Sequence, residues 1–173
     1  MPELPFTSAA FHPSGSNILL TGPRPFYYKY DLQSGSCIRS PRGLWGSSSD
    51  KTSSIADLGM ELTAFSPSGD LLAVAGRRGH VSLIDWKAGG AQVVGNIKMN
   101  AGVKALWWKS GSEGAGEAHH LFTLGEDSQV YEWDARAQRC LHRWKDDGGF
   151  GSCIMAGDPA GKYLGIGSVI AFI

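Results

Sequence analysis

The motif Phe11-His12-Pro13-Ser14-Gly15 recurs as Phe65-Ser66-Pro67-Ser68-Gly69, and twenty residues beyond the phenylalanine of each copy stands an aspartate, Asp31 or Asp85. A third copy of the unit ends at Trp133-Asp134, so the three aspartates are 54 and 49 residues apart. Repetition of this kind indicates one small folding unit copied along the chain. Stacked units build extended binding surfaces, which favours a binding function over an enzymatic one.

Each unit has the pattern of a strand, a turn and a second strand. In the second copy, residues 71–75 form a short apolar run, Gly76-Arg77-Arg78-Gly79 is a turn, and residues 80–85 alternate between apolar and polar. A run that is apolar throughout predicts a strand buried on both faces. The fourth copy begins at Gly157-Asp158-Pro159-Ala160-Gly161 and reaches only one clear strand before the sequence ends.

Strand–turn–strand units that end in Trp-Asp resemble the blades of WD40 β-propellers. The sequence therefore predicts an all-β, WD40-type β-propeller with about three complete blades and part of a fourth. Because a closed propeller needs at least four blades, we expect a part of a larger propeller. The predicted repeats are approximately 6–40, 60–96, 101–145 and 152–173, within one partial propeller over 1–173.

The residues predicted to stabilise the blades are those at the repeated turn and strand-end positions: Asp31, Asp85, Asp127, Trp133 and Asp134. Only the third copy has both a turn aspartate, Asp127, and the tryptophan, Trp133. The other blades are therefore expected to depend on apolar packing.

The composition excludes several classes of function. Sixteen basic and sixteen acidic side chains cancel among 173 residues, so no net charge attracts the chain to nucleic acid or a membrane. No apolar run approaches the roughly 20 residues that span a bilayer, and no signal peptide is visible at the start. The sequence predicts an intracellular protein.

Three cysteines do not suggest a disulfide framework. Cys37 and Cys140 each lie six residues after a repeat aspartate, so they share one position in two repeats. We expect them to be small buried residues on the outer strand, without redox or metal chemistry.

Catalytic motifs are not apparent. His119 and His120 are adjacent, so on a strand they point to opposite faces and do not share a metal; an exposed loop or strand-start pair is expected. The glycine-rich residues 148–152 have the spacing of neither a phosphate-binding loop nor a nucleophile elbow. The sequence predicts no enzyme, no cofactor and no small-molecule substrate.

Basic residues form two small groups that are candidate contacts with phosphates or acidic partners. The alternative is a solvated outer strand with scattered charge. The candidate contact residues are Arg77, Arg78, Arg136, Arg139 and Arg143, with His142 and Lys145 beside the last of them.

The region from Gly95 to Gly149 is more specific than a generic blade. Residues 95–103, 130–134, 139–144 and 146–149, in this order, resemble the propeller of the U3 small nucleolar RNA-associated protein 18 family, and residues 163–168 continue the likeness. That family consists of WD40 components of the small-subunit processome.

The resemblance implies a non-enzymatic nucleolar scaffold of ribosome biogenesis that supports processing of the small-subunit RNA. The implied partners are other WD40 proteins of the processome, the U3 ribonucleoprotein and pre-ribosomal RNA, with no membrane. Two departures from the family are visible. Glu126-Asp127-Ser128 replaces its usual Gly-Asp-Gly turn, and the family's long N-terminal extension and final blades are missing.

Three alternatives stay open. The chain could be a WD40 adaptor of another assembly, such as a ubiquitin-ligase substrate receptor or a chromatin scaffold, although a generic adaptor need not have the region from Gly95 to Gly149. An enzyme on a propeller should show convergent His, Asp or Glu side chains at strand starts, where this chain has mostly Ala, Leu, Val and Gly. A truncated, nonfunctional product is the third.

Overall fold

A computed structural model describes residues 6–22, 26–40, 60–76, 78–87, 90, 92–110, 119–145 and 151–168. The strands in these ranges are β1 (Ser8–Phe11), β2 (Asn17–Thr21), β3 (Tyr28–Asp31), β4 (Cys37–Arg39), β5 (Leu62–Phe65), β6 (Leu71–Ala75), β7 (His80–Asp85), β8 (Gln92–Lys98), β9 (Val103–Trp108), β10 (His120–Gly125), β11 (Gln129–Asp134), β12 (Arg139–Lys145), β13 (Ile154–Gly157) and β14 (Leu164–Gly167). Among these residues there is no helix with the length and hydropathy of a membrane span.

The strands form four antiparallel sheets in which neighbours in the chain are neighbours in the sheet. Blade 1 is β1–β4, blade 2 is β5–β8, blade 3 is β9–β12, and β13 and β14 form the described part of blade 4. The prediction of an all-β, WD40-type propeller with three complete blades and part of a fourth is confirmed.

The apolar run in β6 has the two-sided burial that its sequence predicts. Leu72 and Val74 pack towards blade 1, where they join Leu19 and Tyr27. Ala73 and Ala75 point to the opposite side and belong to the apolar layer shared with blade 3. A strand enclosed between two sheets has no solvent face, so it has no polar positions.

Three apolar layers hold the blades together. The first, between blades 1 and 2, includes Leu19, Met60 and Ile84. The second, between blades 2 and 3, is the largest and includes residues such as Leu83 and Trp133. The third lies between blades 3 and 4, around Phe122, Leu124, Val130 and Met155.

The blades are arranged like a fan around their first strands. Contacts between successive blades concentrate on β1 with β5, β5 with β9, and β9 with β13. The first strand of each blade is therefore innermost, and β4, β8 and β12 lie at the periphery.

The turns lie at two opposite ends of the sheets, because the strands alternate in direction. Face A carries the first and third turns of each blade, such as β5–β6 and β11–β12, with the repeated Pro-Ser-Gly turns. Face B carries the second turns, such as β6–β7 and β10–β11.

The expected burial of the outer-strand cysteines is wrong. Cys37 on β4 and Cys140 on β12 are both exposed. An outermost strand has a neighbour on one edge only, and the apolar layers do not cover these two positions, although they do enclose Ile97 of β8.

Candidate functional site

The repeat aspartates close the turns between the third and fourth strands on face A. Asp31 Oδ1 accepts hydrogen bonds from the backbone N–H of Gln33, at 3.0 Å, and of Ser34, at 2.7 Å. The bonds from Ser34 hold the pKa of the Asp31 carboxyl below its usual value. Asp134 Oδ1 accepts in the same way from the N–H groups of Arg136 and Ala137. Asp85 ends β7 at the equivalent position.

Trp133 and Asp127 each have one strong side-chain partner in blade 3. Trp133 Nε1 donates to Thr123 Oγ1 at 2.9 Å, and its ring stacks on Tyr131 at 5.7 Å. The Tyr131 hydroxyl donates to Asp127 Oδ2 at 2.7 Å. Sequence reasoning singled out Trp133 and Asp127 but missed Thr123 and Tyr131. Tyr131 lies two residues before Trp133 on β11, so both point to the same side of the strand, and Thr123 is opposite Tyr131 on β10. This spacing is the signal that could have identified them.

Burial, together with the neighbouring Asp127 carboxylate, raises the pKa of Tyr131 to about 12. Because the neutral phenol is favoured in the folded protein, its contribution to stability is complete below the ordinary value of 10 and disappears as the pH rises towards 12. The free energy of unfolding, from urea titrations at several pH values, should therefore fall more steeply above pH 10 in the unmodified chain than in Tyr131→Phe. Tyr163 is 68 % exposed, so Tyr163→Phe is the control and should keep the steep slope. Equal slopes for all three proteins would contradict this role of Tyr131.

Ser128 occupies a backbone conformation that favours glycine, with φ 59° in the β10–β11 turn. We expect Ser128→Gly to raise the free energy of unfolding by about 0.5–1 kcal/mol, because glycine adopts this conformation without steric cost. Thermal unfolding measures the change. The control is Gln138→Gly at φ 52°, which should not stabilise because the Gln138 side chain bonds to blade 2. A lower melting temperature for Ser128→Gly would show that the turn is not strained.

Side chains that tie neighbouring blades together include Ser8, whose hydroxyl lies 2.9 Å from that of Thr63, and the three described next; sequence reasoning missed all of them. The His12 ring lies 3.2 Å from the Gly69 carbonyl oxygen in blade 2 and packs edge-on against Phe65. Trp108 Nε1 donates to the Ala64 carbonyl at 2.9 Å. Gln138 Oε1 accepts from the Asn96 N–H at 3.1 Å. Each bond joins residues more than forty positions apart, so no local pattern predicts it.

The histidine pair lies on opposite sides of blade 3, as expected, but His119 is buried and not exposed as predicted. It packs edge-on against Trp108 at 6.5 Å. His120 Nδ1 lies 2.6 Å from Glu132 Oε1, and Glu132 is itself buried. In the part of the chain that the structure describes, no group of three His, Cys, Asp or Glu side chains is placed to hold a metal ion.

The structure separates the predicted basic contacts. Arg78 lies in the β6–β7 turn on face B, and Arg77 lies outside the described residues. Arg136 lies in the β11–β12 turn on face A, while Arg139 and Arg143 are exposed along β12 at the periphery. Arg78 therefore lies on a different surface from Arg136, Arg139 and Arg143.

A cleft of about 460 Å³ opens on face A between blades 2 and 3, and it brings Asp85 and Arg136 together. Its other charged side chains include Asp70 and Lys87, which form an ion pair at 3.9 Å. Its walls therefore carry both signs of charge. The glycine-rich connector of residues 148–150 lies outside the described residues.

The predicted family resemblance is confirmed by similar proteins. Over 151 residues, 86 % of its length, the chain is 28 % identical to the U3 small nucleolar RNA-associated protein 18 homolog of Arabidopsis thaliana. It is 26 % identical to the mouse homolog over 97 % of its length and 27 % identical to the probable Schizosaccharomyces pombe protein over 93 %. The chain spans about a quarter of each relative, 24–28 %. No protein-family model matches it.

Solved structures show the same fold. The WD40 repeats of RRP9 superpose with a TM-score of 0.67 at 17 % identity, and U3-55K superposes with a TM-score of 0.66 at 18 % identity. In both cases 86 % of this chain matches 41 % of the solved chain. At this identity the likeness establishes the propeller fold alone.

Proposed function

We propose that this chain is a non-catalytic WD40 scaffold of ribosome biogenesis that works within the small-subunit processome, together with U3 RNA. The observation that carries the proposal is the similarity over 86–97 % of the chain to proteins that are all named for association with U3 small nucleolar RNA. The proposed site of action is the nucleolus, and the proposed partners are other WD40 proteins and the U3 ribonucleoprotein.

The chemistry of the described blades supports a scaffold. Polar side chains in blade 3 bond to one another: Trp133 to Thr123, Tyr131 to Asp127, and His120 to Glu132. A nucleophile with a base at hydrogen-bond distance is not found among these pairs. The mechanism we propose is the rigid presentation of turns on faces A and B and of the outer strands to partners.

Affinity purification of the tagged chain from its own cells tests this proposal. Probes for U3 RNA and for other propeller proteins should detect both in the eluate at moderate salt. A matched bait carrying Trp133→Ala, which damages blade 3, should recover less of both. A well-folded bait that recovers neither would refute the processome role and favour a WD40 adaptor of another assembly.

A further inference from the structure

The outer edge of blade 2 is protected differently from the outer edges of blades 1 and 3. In the part of the chain that the structure describes, β8 is the last strand of its sheet, so one row of its backbone N–H and C=O groups has no partner strand. Proteins commonly protect such a row with a short strand or with charged side chains. β4 has only three residues, and β12 has three Arg or Lys side chains. β8 has seven residues, and its first six, 92–97, carry no charge.

A β-bulge in β8 does not explain this difference. The register between β7 and β8 shifts after Leu83, so Val94 is the extra residue of the bulge. β12 has a bulge at the equivalent position, with Leu141 as its extra residue, and it still has its basic side chains. Val94 is 42 % exposed, so the neutral edge of β8 also presents an apolar side chain to solvent.

The side chain of Gln138, from blade 3, occupies pairing groups in the middle of this edge. Its Oε1 accepts a hydrogen bond from the backbone N–H of Asn96 at 3.1 Å, and its Nε2 donates to the C=O of Val94 at 3.4 Å. A further strand added to β8 would need the same donor and the same acceptor. One carboxamide therefore takes the place of a strand at this point.

The backbone on both sides fits this contact. Gln138 has φ 52°, and the corresponding position of blade 1, four residues after the repeat aspartate, is Gly35 with φ 67°. Glycine adopts this left-handed conformation without steric cost, so blade 3 has a long side chain where glycine is less strained. Beneath the carboxamide lies Gly95, where a Cβ would be 2.9 Å from Gln138 Cδ. Gly95 leaves room for the side chain that Gln138 extends.

We propose that Gln138 protects the outer edge of blade 2 from strand addition by a second copy of this chain. A run of six residues with no charge and no proline, exposed on a sheet edge, is the kind of segment that pairs with a copy of itself. While the carboxamide is bound, the N–H of Asn96 and the C=O of Val94 are not available for that pairing. The inference concerns how the chain stays separate from its own copies, so it does not depend on the proposed function.

Amide hydrogen exchange of the whole chain, followed by NMR, tests the contact itself. In Gln138→Ala the Asn96 N–H loses its acceptor and should exchange about fivefold faster. The N–H of Ile97 points to β7, because successive peptide groups of a strand alternate in direction, and its exchange should not change. The matched control is Gln33→Ala in the corresponding turn of blade 1, which should leave Asn96 unaffected. Unchanged exchange of Asn96 in Gln138→Ala would overturn the proposal.

Sedimentation velocity over a range of protein concentrations tests the consequence. The sedimentation coefficient of Gln138→Ala should rise more steeply with concentration than that of the unmodified chain, while Gln33→Ala should match the unmodified chain. Association through other surfaces is common to all three proteins, so it does not affect the comparison. Circular dichroism checks that the variants are folded.

A second substitution distinguishes edge pairing from a loss of stability. Adding Val94→Lys to Gln138→Ala should remove the additional association, because a lysine on an edge strand opposes pairing with another strand. A charge placed on β8 would not correct a general destabilisation. No increase in association for Gln138→Ala, an equal increase for Gln33→Ala, or association that persists in the double variant would each refute the protective role of Gln138.

Discussion

Replacing Trp133 by alanine should lower the free energy of unfolding by about 3–5 kcal/mol, the range expected for removing a buried tryptophan. Trp133 lies in the apolar layer between blades 2 and 3, and its loss leaves a cavity beside Leu83 and Leu121. It also removes the donor to Thr123. Urea unfolding followed by circular dichroism measures the change. For a chain of this length, the melting temperature should fall by roughly 10 °C.

Two further variants separate the contributions of the tryptophan. Trp133→Phe keeps most of the apolar volume and loses the hydrogen bond to Thr123, so it should cost less than the alanine variant. Trp144→Ala removes a half-exposed ring from the same blade and should cost less still. A melting temperature of Trp133→Ala equal to that of the unmodified chain would refute the role of this layer.

Gly79→Ala should destabilise the chain by about 3 kcal/mol. Gly79 has φ +74°, which costs an alanine roughly 1–2 kcal/mol. In addition, a Cβ would lie 2.5 Å from the carbonyl oxygen of Ala101 and 2.8 Å from that of Met99. These are backbone atoms of the β8–β9 connection, so the connection itself would have to move. Thermal unfolding of the purified variant measures the loss.

Gly15→Ala is the matched control. Gly15 has φ +72°, close to that of Gly79, but a Cβ there would meet nothing within 4 Å. It should therefore show the conformational cost alone, about 1–2 kcal/mol. Equal destabilisation by the two variants would mean that the contact between Gly79 and the connection adds nothing.

Local pattern was sufficient to predict the strands. In β6 the apolar run marks the enclosed residues, and each blade is a meander of neighbouring segments. In β7 the alternation predicts a strand but not its burial, because Ser82 is 2 % exposed and donates to Asn96. Such contacts are close in sequence, so a short window contains the information. The cysteine prediction failed for a related reason: position in the repeat identified the outer strand, but not how far the apolar layers extend.

The candidate surfaces were only partly predictable. The basic residues of β12 are visible in the sequence, and so is the repeat aspartate that begins the preceding turn. Their position relative to Arg78 could not be read from the pattern, because it depends on which end of a sheet each turn occupies.

The sequence by itself determined the repeat, the strands and the resemblance to U3 RNA-associated propeller proteins, because these depend on residues close together in the chain. Tertiary structure decided which side chains join the blades, through His12 to Gly69, Trp108 to Ala64 and Gln138 to Asn96. It also decided that Arg78 lies on a different surface from Arg136, Arg139 and Arg143. These features arise where one blade packs against the next and at the ends of strands. At those places residues that are far apart in the sequence come into contact, so a repeating pattern along the chain does not predict them.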